Sequence, residues 1–199
     1  MKLGKAFYTR EDAITISKEL LGKFLVTCID GRLTSGMIVE TEAYLGAEDK
    51  ASHAYGNRRT KRTEPFYKEG GIAYVYLCYG IHYLFNIITN KAEIPHAVLI
   101  RAVEPSDGID IMLERRKKAK LTPELTAGPG ALSVALGISA RHNETDLLEN
   151  EIWVEDRGVV VNENEIIASP RVGVAYAKEY ALKPWRFRVK DNPYTSKAR

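Results

Sequence analysis

Cysteine is nearly missing from the 199-residue sequence: only Cys28 and Cys78 occur, fifty residues apart and each inside an apolar run. A disulfide framework and a four-ligand zinc site are thereby excluded, and a reducing intracellular compartment is expected. No uncharged apolar run reaches the roughly 18 residues of a membrane span. The N-terminal MKLGKAFYTREDAITISKELLGKFLV is broken by Arg10, Glu11, Asp12, Lys18 and Glu19, so it is neither a signal peptide nor a membrane anchor. Internal repeats, low-complexity tracts and Ser/Gly linkers are lacking as well, which favours one continuous unit over residues 1–199. Nor is there a strong excess of one charge. The 29 basic and 26 acidic side chains leave a net +3 and a pI near 8.7, too little for charge alone to identify a nucleic-acid binder. What is present is globular: 45% hydrophobic and 28% charged residues, enough apolar material for a sizeable core. Disorder, coiled coil and collagen are excluded.

Elements of both kinds alternate along the chain. Thr9-Arg10-Glu11-Asp12 ahead of AITISKELLG predicts an N-capped amphipathic helix ending at Gly22, with Ile14, Leu20 and Leu21 toward the core. KFLVTCI (23–29) and LTSGMIVETEAY (33–44) read as strands paired through the Asp30-Gly31 turn. Further strands are expected at 72–79, 82–89, 97–103, 151–156 and 186–190, with helices from Asp107 to Lys118 and after the Gly/Pro turn of 128–138. Adjacent strands with short connections and few crossover helices predict an α+β fold. The expected architecture is a single domain, a curved antiparallel or mixed sheet like an open barrel, with flanking helices.

Charge is concentrated in two places. GNRRTKRTEPFYK (56–68) sets Arg58, Arg59, Lys61, Arg62 and Lys68 against one acid and ends in Phe66 and Tyr67, a combination that can meet phosphates and stack on bases. ERRKKAK (114–120) is equally basic, but reads as the last turn of a helix, where cations complement the macrodipole on a solvated face.

Side chains two apart on a strand share a face, so Glu40, Glu42 and Tyr44 point together. They make either a water-activating base beside an aromatic wall or a solvated hairpin face. Tyr74, Tyr76, Tyr79 and Tyr83, four of the 11 tyrosines, crowd into ten residues. Tyr79 precedes Gly80, where a turn can expose it. Such rings suit stacking on a planar base or wedging into a duplex, or simply fill a core strand. His53 lies nine residues beyond Tyr44, close enough to return to the same place. His82, His96 and His142 have no partners at metal-ligand spacing and no C-x-x-C occurs, which excludes a zinc deaminase; no metal or cofactor is expected. Asn86, inside YLFNIIT, needs a partner, whether backbone or the edge of a bound base. Arg101, inside AVLIRAVEP, must pair with a carboxylate or phosphate, and Glu42 and Glu104 are the candidates.

VETEAYLG (39–46), His53, YVYLCYG (74–80), Asn86, LIRAVEP (99–105), TAGPGALSVALGI (126–138) and RVGVAYAKEYALKPWRF (171–187) together resemble the alkyladenine (3-methyladenine) DNA glycosylase family, in its motif order, from about Phe7 to Val189. The resemblance implies a monofunctional glycosylase that flips a damaged purine from double-stranded DNA and hydrolyses its N-glycosidic bond. It makes Glu42 the general base, Arg101 the residue that helps hold it, and Val172 the source of a backbone carbonyl contact. Tyr44, His53 and Tyr76 become the walls of the base pocket and Leu99 part of its lining. Tyr79 becomes the wedge, and Asn86 the residue that clashes with a guanine 2-amino group. No lysine matches a Schiff-base nucleophile, so no lyase activity is expected. The implied setting is a monomer in the bacterial cytoplasm, acting at the nucleoid, with no obligate protein partner.

Two other classes compete. A non-enzymatic single-strand binding module would use the basic loop and tyrosines as a platform, but gives no account of Glu42 and Arg101 within apolar strands. A glycosidase of free nucleosides or sugars acting through Glu40 and Glu42 would leave the basic loop and Tyr79 without purpose.

Overall fold

Two short helices, α1 (Lys5–Tyr8) and α2 (Ala13–Glu19), open the chain in a computed structural model that describes residues 1–197. Asp12 caps α2: its Oδ1 accepts the N–H groups of Ile14 and Thr15 at 2.9 and 3.2 Å, donors that a first helical turn leaves unpaired. The buried face of α2 runs through Ala13, Ile16 and Leu20; Ile14, expected inside, is only half-buried.

The strands follow as β1 (Phe24–Ile29), β2 (Arg32–Tyr44), β3 (Ala73–Cys78), β4 (His82–Thr89) and β5 (His96–Pro105). Helices α3 (Ile109–Arg116) and α4 (Pro129–Leu136) intervene before β6 (Ile152–Glu155), β7 (Ile166–Ser169) and β8 (Arg186–Val189). Asp30 and Gly31 both take positive φ, 54° and 72°, as the tight β1–β2 hairpin demands. The expected elements are all present; α1 and β7, four residues each, were not foreseen.

The fold is α+β. Every strand pairing among the described residues is antiparallel, in the order β3-β4-β5-β2-β1-β6, with β8 and then β7 branching from β2. The sheet does not close. β2 is its axis: β5 runs along one side, while on the other β1 ends opposite Met37 and β8 takes over at 40–42. Two irregularities interrupt the β2–β5 register, leaving Val39 on one strand and Arg101 on the other without a Cα partner. Bulges re-aim side chains, and here they do so at a buried arginine.

One face of the sheet is covered by helices. α4 starts with Pro129 in its first turn, ends at Gly137 with φ 77°, and lies against β4 and β5. Leu132 and Leu136 of α4 and Met112 of α3 pack on Phe85, Ile87, Val98 and Ile100, where a Leu-to-Ala truncation would cost about 2–5 kcal/mol. A smaller cluster of Phe66, Tyr67, Tyr74 and Ile88 seats the helical turn Glu64–Tyr67.

Candidate active site

Register brings the site together. Arg186 of β8 stands opposite Glu42 of β2, Glu42 opposite Leu99 of β5, Leu99 opposite Asn86 of β4, and Asn86 opposite Tyr74 of β3. Directly opposed residues point to the same side of a sheet, so these form one row. Four of the five, Glu42, Leu99, Asn86 and Tyr74, line a cavity of about 330 Å³ that also takes in Tyr44, His53, Phe66, Tyr76, Arg101 and Val172.

Glu42 is fully buried and held at both oxygens. Oε1 accepts the Val172 N–H at 2.8 Å and lies 3.3 Å from Nη1 of Arg101; Oε2 accepts the Tyr44 hydroxyl at 2.8 Å. Burial and the negative charge of Glu42 push the Tyr44 phenol well above its ordinary value, so it remains a donor. The backbone group of Val172 that touches Glu42 is its N–H.

Arg101 is aimed by Glu40. Its Nε donates to Glu40 Oε1 at 2.8 Å, and the same oxygen accepts Arg186 Nε at 2.7 Å and Ser196 Oγ at 2.8 Å. Oε2 of Glu40 takes the Ser196 N–H at 2.5 Å. Burial opposes ionisation of Glu40, yet Arg101, the Ser196 N–H and Arg186 outweigh it and hold the carboxyl below the usual range. Two expectations are corrected here. Glu40 and Glu42 are not a solvated hairpin face, because both are fully buried, Glu40 against Arg101, Arg186 and Ser196 and Glu42 against Tyr44, Arg101 and Val172. Glu104 does not serve Arg101; it lies beyond the bulge and accepts Asn192 Nδ2 at 2.7 Å.

Much of the remaining cavity wall is aromatic. Tyr74 and Tyr76 stack at 5.4 Å with 28° between planes, and His53 meets Tyr76 edge-on at 4.7 Å while its Nδ1 lies 3.0 Å from the Tyr74 hydroxyl. Burial first, then the charges of Arg62 and Arg58, bring the His53 imidazole down to about 4, so at neutral pH it is an uncharged ring. Asn86 donates from Nδ2 to the carbonyls of Tyr74 and Leu84 at 3.1 and 3.4 Å. Both hydrogen bonds use Nδ2, which leaves Oδ1 for an occupant.

At the rim, Tyr79 occupies the first central position of a turn closed by Ile81 N–H to Cys78 carbonyl at 3.1 Å. Tyr79 and Gly80 take φ 49° and 70°, a type I′ turn, and the Tyr79 side chain projects 88% exposed beside Leu77, Ile81 and Tyr176. Positive φ is strained for tyrosine.

The basic loop divides. Arg62 lies 5.1 Å over the Tyr76 ring at the cavity wall, and Arg58 lines the adjoining cleft. Among the described residues no ion pair engages Arg58, Lys61 or Arg62, whereas Arg59 is bound to Glu64 and Glu93 at 2.7 and 2.6 Å over the Tyr67 ring. Phe66 walls the cavity, while Tyr67 is packed beneath Arg59 rather than offered to a groove. Asp49, Arg171, Arg186 and Ser196, which support the site, were not singled out from the sequence; a buried arginine in RVGVAY demanding a carboxylate was the available signal.

The chain is similar to known proteins over most of its length. A sequence profile for methylpurine-DNA glycosylase (MPG) matches residues 6–193. Proteins named "Putative 3-methyladenine DNA glycosylase" from Chlamydia felis and Natranaerobius thermophilus are 47% and 45% identical to it, covering 93% and 98% of this chain and 94% and 99% of their own. One of the same name from Clostridium botulinum is 45% identical over 99% of this chain and all of its own length. With the match spanning nearly every element that frames the cavity, the chain belongs to the methylpurine-DNA glycosylase family.

Proposed function

We propose that this protein is a monofunctional DNA glycosylase of base excision repair, which draws an alkylated or deaminated purine from duplex DNA into the aromatic cavity and hydrolyses its N-glycosidic bond. The observation that carries the reading is a fully buried carboxylate, oriented at both oxygens, in a cavity lined largely by aromatic rings. Glu42 takes a proton from water as the water oxygen bonds to C1′, and the purine leaves with the electron pair of the C1′–N bond. The sugar passes through oxocarbenium character, which an ionised Glu42 stabilises. Arg101 stands 3.3 Å from Glu42 Oε1 and helps hold it in place. The resemblance would have the Val172 carbonyl touch the same water, next to the N–H that already holds Glu42.

Substrate choice follows from charge and shape. N3- or N7-alkylation makes the purine cationic, and a cation between aromatic faces gains about 0.5–2 kcal/mol. Tyr44, Tyr76 and a neutral His53 form such walls, Leu99 forms the floor, and Asn86 acts as the steric filter against a 2-amino group. The aromatic walls suit cationic 3-methyladenine and 7-methylguanine, and the filter favours 3-methyladenine and hypoxanthine, which lack a 2-amino group, over 7-methylguanine, which carries one. Tyr79 fills the gap left by the flipped base, and Arg58, Arg59, Lys61 and Arg62 face the phosphodiester backbone, Arg59 only on release from its carboxylates. The proposed reaction runs through water rather than a lysine, and is hydrolysis without strand cleavage.

The test is incubation with duplex DNA containing hypoxanthine or 3-methyladenine. Free base and alkali-labile sites are expected. Binding without release would overturn the reading in favour of a binding module.

A further inference from the structure

Behind the cavity lies a second buried ion pair that the reaction does not use. Arg171 and Asp49 have fully buried side chains and meet as a bidentate fork: Nη1 to Oδ2 at 2.5 Å, Nη2 to Oδ1 at 2.8 Å. Nη1 also donates to the Ala43 carbonyl at 2.9 Å and Nη2 to the Tyr180 carbonyl at 3.3 Å. The guanidinium carbon is 4.6 Å from the Tyr44 ring and 5.0 Å from the Trp185 ring, so it packs against both, and Tyr44, unlike Arg171, lines the cavity. Asp49 in turn accepts the N–H groups of Leu45 and Ala51 at 3.2 and 3.0 Å, tying down the loop that leads to His53.

Burying such a pair is poor value as mere stability, because a packed apolar pair serves as well. Its placement is what matters. Arg171 precedes Val172, whose N–H holds Oε1 of Glu42, and backs Tyr44, whose hydroxyl holds Oε2. A rigid planar fork fixes both at once, which lysine could not do. We infer that Arg171 and Asp49 are positioning residues: the pair sets the Val172 N–H and the Tyr44 ring, and through them the orientation of the Glu42 carboxylate. The inference rests on the glycosylase reading above.

The test uses Arg171→Lys, Asp49→Asn and the apolar double variant Asp49→Leu/Arg171→Met, the last because removing one partner of a buried pair can unfold a protein while replacing both often does not. Single-turnover release of hypoxanthine is measured beside lesion-duplex affinity and far-UV circular dichroism. In folded variants the release rate should fall about tenfold or more, the penalty of a misplaced reacting group, while affinity changes by less than about threefold. A purely structural pair would lower stability and leave release per folded molecule unchanged. That result, or failure of all three variants to fold, overturns the inference. Absence of release from the unaltered protein takes down the glycosylase reading and this inference with it, whereas release from the unaltered protein and equally from the folded variants takes down this inference alone.

Discussion

The phenol of Tyr44 donates to Oε2 of Glu42 across 2.8 Å, from two residues further along the same strand. Strand alternation puts both on one face, and the ring becomes wall and orienting donor together. Tyr44→Phe keeps the wall and removes the donor. A hydrogen bond to a charged group contributes about 1.5–3 kcal/mol, so base release should slow by roughly ten- to a hundredfold with the fold intact. Single-turnover release measures this; an unchanged rate would mean that Oε2 needs no donor.

Glu42→Gln is isosteric and cannot take a proton from water. Release of hypoxanthine should be lost while the lesion-containing duplex is still bound, because the aromatic walls and the basic loop are untouched. Release assays and gel mobility shift, run in parallel, separate the two. Retained turnover would remove Glu42 from the role of base.

How much of this could be read from the chain depends on range. Asp12 and Asp30-Gly31 act on their immediate neighbours, so α2 and the first hairpin are legible locally. So is the alternation that sets Glu42 beside Tyr44. α1 and β7 are too short, at four residues, to carry a period. The partners of Glu40 lie 61, 146 and 156 residues away, and the bulges that strand Val39 and Arg101 follow from tertiary pairing, so in the chain Glu104 looks as good a partner for Arg101 as Glu42, and Glu40 does not stand out as one. Val172 stands out only through the family motifs, whereas Asn86 stands out directly as an amide inside an apolar run.

Tyr79 sets stability against function. Its φ of 49° suits asparagine, which visits the left-handed region at little cost, whereas other side chains lose about 1–2 kcal/mol there. Tyr79→Asn should therefore raise the unfolding free energy by about 1 kcal/mol and weaken capture of the flipped base. Urea denaturation reads the first effect and fluorescence of a base analogue opposite the lesion reads the second. A variant that gains stability and captures as well as the parent would show that the wedge is dispensable.

The imidazole of His53 should titrate near pH 4 by NMR in the free protein. The sign of its effect on stability follows. An unfolded chain binds this proton near 6.5, so the contribution is complete above that pH and is lost as pH falls through 4, a total of about 3 kcal/mol. His53→Gln should abolish this part of the pH dependence between 6.5 and 4. A titration near 6.5 would mean that the ring is solvated and that the cavity wall beside Tyr74 and Tyr76 carries charge when acidified.

Asn86 stands between Leu99 and Tyr74 in the floor row and is anchored by two backbone carbonyls, so its side chain cannot swing aside from an entering base. Serine at this position is smaller by the bulk of the amide and cannot span to both carbonyls. The loss should cost about 1 kcal/mol of stability, near the net worth of one neutral hydrogen bond. What it opens is the space where a guanine 2-amino group would collide. Asn86→Ser should raise release of 7-methylguanine relative to hypoxanthine, measured by competition between the two lesions in one reaction. Hypoxanthine has no 2-amino group, so its own rate supplies the internal control for damage to the catalytic carboxylate. If both rates fall together, the variant has disturbed Glu42; if the ratio stays as it was, the exclusion of guanine-type bases must be sought in another wall of the cavity.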